Sequence, residues 1–182
     1  GTGGSVSVAV GGGNTGAGGR ITITAGSASP TSAGTGGMIS IMTGLGSTTS
    51  SGGFSVRTAH AGGDGITGAL SFRSGDATKG SSGAVAVKTG DGVKGTAGSI
   101  SLIVGSGTHA SGGRVVVNAG ESTQHTGGSV SVISGLGSVT SSGVFSIRTA
   151  DAGNDGVSGA LHFDSGTASK GSSGSITLET GT

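Results

Sequence analysis

The chain has 182 residues, of which 45 are Gly, one is Pro and none is Cys, Trp or Tyr; its formal charge is +1. Without Cys there is neither a disulfide framework nor a thiolate zinc site, and without Trp or Tyr there is no aromatic platform on which bases or sugars stack. A near-neutral charge gives no drive toward nucleic acid or an anionic membrane, and no apolar run approaches the roughly 18 residues of a membrane-spanning helix.

So much Gly without order would read as a flexible chain, but the apolar residues are strictly periodic. Heads recur at Val6, Ile21, Ile39, Phe54, Leu70, Val85, Ile100, Val115, Val130, Phe145, Leu161 and Ile176. Each is followed two places on by a second apolar residue, from Val8 and Ile23 through Val87 and Leu102 to Phe163 and Leu178. Alternation over two positions is the strand signal, and β-branched residues dominate both columns. A spacing of about 15 residues is a solenoid period. The expected fold is therefore all-β: one parallel β-solenoid (β-helix) domain spanning residues 1–182. It has about twelve coils and a thin, two-walled core.

Taken in order, the first irregularity is the stretch Ala25–Ala33 before Ile39, which holds Pro30. Proline cannot donate to a ladder, so this stretch is expected to bulge out of the stack. After each second apolar residue comes an outward residue, then a hydroxyl or small residue followed by Gly or Ala, as in Thr58-Ala59, Ser74-Gly75, Thr89-Gly90 and Thr180-Gly181. By parity the hydroxyl faces inward, where it is expected to satisfy turn backbone. The Gly after it is expected to provide positive φ or close approach of stacked coils. A further small residue, at Ala61, Ala77, Gly92, Gly107, Ser122, Gly137, Ala152 and Ala168, is expected to line the opposite wall.

A longer repeat overlies the short one. The run G-L-G-S-T-T-S-S-G-G-F-S-V-R-T-A-H-A from Gly44 returns as G-L-G-S-V-T-S-S-G-V-F-S-I-R-T-A-D-A from Gly135, an offset of 91 residues. Two six-coil blocks, roughly 1–91 and 92–182, follow from a duplication, with no linker between them. The chain opens at Gly1, and its first Met is Met38; neither terminal repeat carries a polar cap. Terminal repeats usually need one, so the expectation is a longer parent chain or end-to-end stacking into a filament.

Three groups of surface residues are candidate sites. Arg57, Arg73 and Lys88 follow the second apolar residue in three successive repeats; the duplicate row reads Arg148, Asp164 and Glu179. Stacked like charges are unfavourable, and a basic row on one molecule facing the acidic end of another offsets this. The simpler reading is screened surface charge. Asp151, Asn154 and Asp155 are oxygen donors on a Gly-rich stretch and so calcium candidates; most repeats lack them, which favours turn chemistry at Asn and Asp. A row of Ser and Thr between the two apolar columns is the pattern of an ice-ordering face. However, Arg20, Met38, Arg57, Arg73, Lys88 and Arg114 roughen its flanks. The four His occupy different repeats, with no nucleophile or paired carboxylates beside them, so no enzyme and no cofactor are expected.

The runs S-G-S-I-T-L-E-T-G-T, T-G-G-S-V-S-V-I-S-G and S-G-A-V-A-V-K-T-G resemble the Gly/Ser-rich short-coil repeats of large extracellular proteins of algae and related protists. In plan they are also similar to adhesin and fibre solenoids. The resemblance implies an extracellular or cell-surface location and a structural role as a stiff rod in a fibre, sheath or appendage, with the chain itself as first partner. A surface adhesin that binds glycan or mineral, and an ice-binding protein, are the alternatives. Neither nucleic acid nor membrane insertion is implied.

Overall fold

A computed structural model describes residues 3–29, 31 and 34–181. Among them there is no helix and no β-strand, so the parallel β-solenoid expected from the alternation is not what this chain adopts. Pro30, Ser32 and Ala33 of the bulge expected there lie outside the described residues.

The period survives, in a different form. Extended segments carry the apolar pairs, and one bend separates each segment from the next. Bends fall at 14–16, 47–49, 78–80, 93–95, 108–110, 123–125, 138–140 and 169–171, and two-residue turns at 63–64 and 154–155. The offset of 91 residues is kept by the structure: the bend at 47–49 returns at 138–140, and the turn at 63–64 returns at 154–155.

The hydrogen bonds explain why extended segments do not become strands. A solenoid strand needs amide-to-carbonyl bonds to the neighbouring coil. Here the backbone bonds outside regular elements close short spans. Gly19, Gly52, Gly128 and Gly143 each donate their N–H to the carbonyl oxygen of Gly11, Gly44, Gly120 and Gly135, eight residues back, and Gly37 donates to Gly26. Gly65 and Gly156 donate to Gly62 and Gly153, three residues back. Each bond ties a chain reversal together at its base, and the segments beyond it carry no ladder.

The thin core is absent as well: no residue among those described is buried. The solvent-accessible surface is 18123 Å², against about 7,600 Å² for a folded monomer of this mass and about 24,000 Å² for its unfolded chain. Most heads are less exposed than the apolar residues off the columns, although Val104 and Val10, four places after a head, are less exposed still at 44% and 47%. Leu70 and Leu161, both heads, are 53% and 51% exposed, whereas Ile66 and Val157, off the columns, are 96% and 97% exposed. Two large apolar side chains in fifteen residues, on a chain whose glycines lose most entropy on ordering, shield one another only partly.

The chain divides into two units, Gly1–Gly98 and Ser99–Thr182. Each is a succession of the same extended segments and reversals.

Candidate functional site

In most repeats the two arms of a reversal come close together. On the first arm stands the residue after the outward position: Ala25, Thr43, Ser74, Thr89 and Ser134 are half-buried where the chain around them is exposed. On the second arm stands a Gly two places before the next head. A methyl group added at Gly98 would lie 3.4 Å from Thr89 Cγ2, at Gly52 3.4 Å from Thr43 Cβ, and at Gly68 3.5 Å from Thr58 Cγ2. Gly128 is closer still: its Cβ would stand 3.2 Å from the Gly120 nitrogen and 3.3 Å from Ala119 Cβ.

This Gly is present in every repeat: Gly4, Gly19, Gly37, Gly52, Gly68, Gly83 and on through Gly98, Gly113, Gly128, Gly143, Gly159 and Gly174. No other column is invariant in residue type across all twelve repeats. The expectation had placed close approach at the Gly after the hydroxyl, but Gly75, Gly90, Gly166 and Gly181 face open space. Positive φ is also not their role, since Gly171 alone among the described residues has it, at 126°. Invariance was the signal that marked the right column. The Gly after the hydroxyl is replaced by Ala at Ala59 and Ala150, as an unhindered position allows.

A second group of glycines sits inside the reversals. A Cβ at Gly92 would fall 2.6 Å from the Gly95 carbonyl oxygen, and one at Gly107 would fall 2.8 Å from that of Ala110. Gly46 and Gly137 press in the same way on the carbonyl oxygens of Ser50 and Ser141. These positions were expected to line an opposite wall; they face the backbone of their own bend instead. Where the column carries Ser122, its Oγ accepts the His125 N–H at 2.9 Å. A hydroxyl therefore does satisfy turn backbone, three places beyond the column where this was expected.

The charged row lies along this framework. Arg57 and Arg148 each flank a shallow groove of the same kind, lined by Arg57, Thr58, Ala59 and His60 in one unit and by Arg148, Thr149, Ala150 and Asp151 in the other. Arg73, Lys88, Asp164 and Glu179 are exposed. Among the described residues the single side-chain ion pair within 4 Å is His162 Nδ1 to Asp164 Oδ2 at 3.6 Å, and both side chains are open to solvent. Among the described residues Arg73, Lys88 and Glu179 have no oppositely charged side chain within 4 Å.

Asn154 and Asp155 are the central residues of the turn closed by Gly156 N–H and the Gly153 carbonyl, at 3.2 Å. Neither has positive φ, as the commonest β-turn requires, with Asn or Asp within it and Gly at its end. Asp151 stands just before this turn. Among the described residues no three His, Asp or Glu side chains come together as a cation site. His60, His109, His125 and His162 lie in separate repeats, and the Thr108 hydroxyl stands 3.0 Å from His109 Nδ1. No helix among the described residues is long and apolar enough to cross a membrane.

Comparison with protein-family models, with curated proteins and with solved structures returned no match.

Proposed function

We propose that this chain is a structural, self-associating repeat protein of the extracellular space, a building block of a fibre, sheath or appendage. The observation that carries this reading is the regular exposure of its apolar columns. Every head and its follower, from Ile21 and Ile23 to Leu161 and Phe163, stays about half or more open to water, in the same positions of every repeat. Isolated exposed apolar residues need no explanation, but contiguous apolar surface marks an association site. A periodic array is best covered by another periodic array of the same spacing, and a second copy of the chain supplies one.

Composition supports the location. A Gly/Ser-rich, Cys-free chain with few charges is what the extracellular repeats it resembles are made of.

Negative-stain electron microscopy across a concentration series tests it. Filaments, bundles or sheets that grow with concentration are expected. Isolated molecules at every concentration would overturn it.

A further inference from the structure

The two units are built alike but charged oppositely. Gly1–Gly98 carries Arg20, Arg57, Arg73, Lys79, Lys88 and Lys94 against Asp64, Asp76 and Asp91, a formal charge of +3. Ser99–Thr182 carries Arg114, Arg148 and Lys170 against Glu121, Asp151, Asp155, Asp164 and Glu179, a formal charge of −2. The difference arises at matched positions. Across the offset of 91, His60 is replaced by Asp151, Arg73 by Asp164 and Lys88 by Glu179. Three exchanges, Asp76 to Thr167, Asp91 to Thr182 and Ile23 to Arg114, run the other way.

Position matters as much as sign. Arg73 follows Phe72, Lys88 follows Val87, Asp164 follows Phe163 and Glu179 follows Leu178. Each charge therefore borders an exposed apolar residue. Arg73 and Lys88 are 15 residues apart, and so are Asp164 and Glu179. Two such rows laid parallel, each on its own run of repeats, meet at both charges in a single register. That register also sets His60 near Asp151; it places Arg57 by Arg148, one unfavourable pair at the end of the row.

We infer that copies associate heterologously, the surface of Gly1–Gly98 that carries the basic row on one copy against the surface of Ser99–Thr182 that carries the acidic row on the next, with Arg73 and Lys88 matched to Asp164 and Glu179. The inference rests on the self-association proposed above and names its partner surface. The area suffices: the surface exceeds that of a folded monomer by about 10,000 Å², and a stable interface needs only about 1,600 Å². Like-on-like pairing of the first units would bring basic rows together and pairing of the second units acidic rows, both repulsive. A contact between two different faces leaves one of each free, so it propagates from copy to copy, into a ring if the rotation closes and an open chain if it does not.

Sedimentation velocity on the full chain tests this with two charge-reversed variants, Arg73→Asp with Lys88→Glu, and Asp164→Arg with Glu179→Lys. The wild type is expected to form oligomers that weaken as salt is raised, since the screening length falls from about 30 Å at 0.01 M to about 3 Å at 1 M. Each variant alone should associate at least about tenfold more weakly, because its two rows now carry like charge. An equimolar mixture should regain wild-type association, because the reversed rows complement each other. Restoration on mixing also shows that both variants retain their structure. If the variants assemble as well as the wild type, or the mixture does no better than either alone, the matched register is wrong although self-association stands. A wild type that stays monomeric at every concentration and salt overturns both.

Discussion

The stretch from Gly44 to Gly90 and its duplicate from Gly135 to Gly181 share their bends and their closing hydrogen bonds. Thr43 and Ser134 are half-buried at equivalent places, as are Gly46 and Gly137. The bonds Gly52 to Gly44 and Gly143 to Gly135 measure 3.0 and 2.9 Å. The charge differs at exposed positions, where His60, Arg73 and Lys88 correspond in sequence to Asp151, Asp164 and Glu179. The path of the backbone is held by glycines and small residues at a few contact points. The outward positions are exposed, so their charge changes with little cost to the path. Two segments of one shape and opposite charge are the result.

The comparison can be broken most sharply at the inner glycines. Gly46→Ala and Gly137→Ala drive a methyl group into a backbone carbonyl, which cannot move aside as a side-chain tip does. Each is expected to open its own reversal and leave the other unit unchanged, a local cost of a few kcal/mol. Amide exchange at Gly52 or Gly143 should rise to the unprotected rate; retained protection would show that the bend adapts. A middle-sized effect is expected from Gly128→Ala, whose methyl meets the Gly120 nitrogen and Ala119 at 3.2 and 3.3 Å. Weakened but measurable protection of the Gly128 amide is the expected outcome. Ser122→Ala removes the acceptor of the His125 amide. It should cost about 0.5–1 kcal/mol locally, seen as faster exchange at His125 alone, and Ser122→Thr should restore it.

Two substitutions should do almost nothing, and they sharpen the comparison for that reason. Gly68→Ala and Gly159→Ala place a methyl at 3.5 and 3.6 Å from the Cγ2 of Thr58 and Thr149, ordinary contact. Their backbone chemical shifts should change only next to the substitution, and equally in both units. His162→Ala breaks the exposed contact with Asp164, and solvent-exposed pairs contribute little. Spectra that change beyond the neighbouring residues would show that this pair organises more of the second unit than its exposure implies.

The period, the duplication and the difference between columns were legible in the sequence. Leu70 and Leu161 stand at a repeat's head and are about half as exposed as Ile66 and Val157, as alternation implies. The ladder was not legible. Alternation says which face a residue takes, not whether a neighbouring segment offers its carbonyls, and Val85 with Val87 reads the same with or without that partner. Here the closing bonds at Gly44 and Gly135 are local, so extended segments remain without strands. The place of close approach was misread because glycine is so abundant that Gly75 and Gly83 look equally permissive. Only the column's invariance separates them. For the charged row, Arg73, Lys88, Asp164 and Glu179 were legible as a pattern, and the structure adds that they are exposed beside exposed apolar residues. The Asn154-Asp155 turn follows from its own residue types.

The reversals have a mechanical consequence. A loop tied at its base by one hydrogen bond stores length: the eight residues from Gly44 to Gly52, pulled straight, add up to about 28 Å to the chain. No ladder links one such loop to the next among the described residues, so each opens and recloses independently under tension. A fibre made of this chain would stretch by many small reversible releases and dissipate load without a single point of rupture.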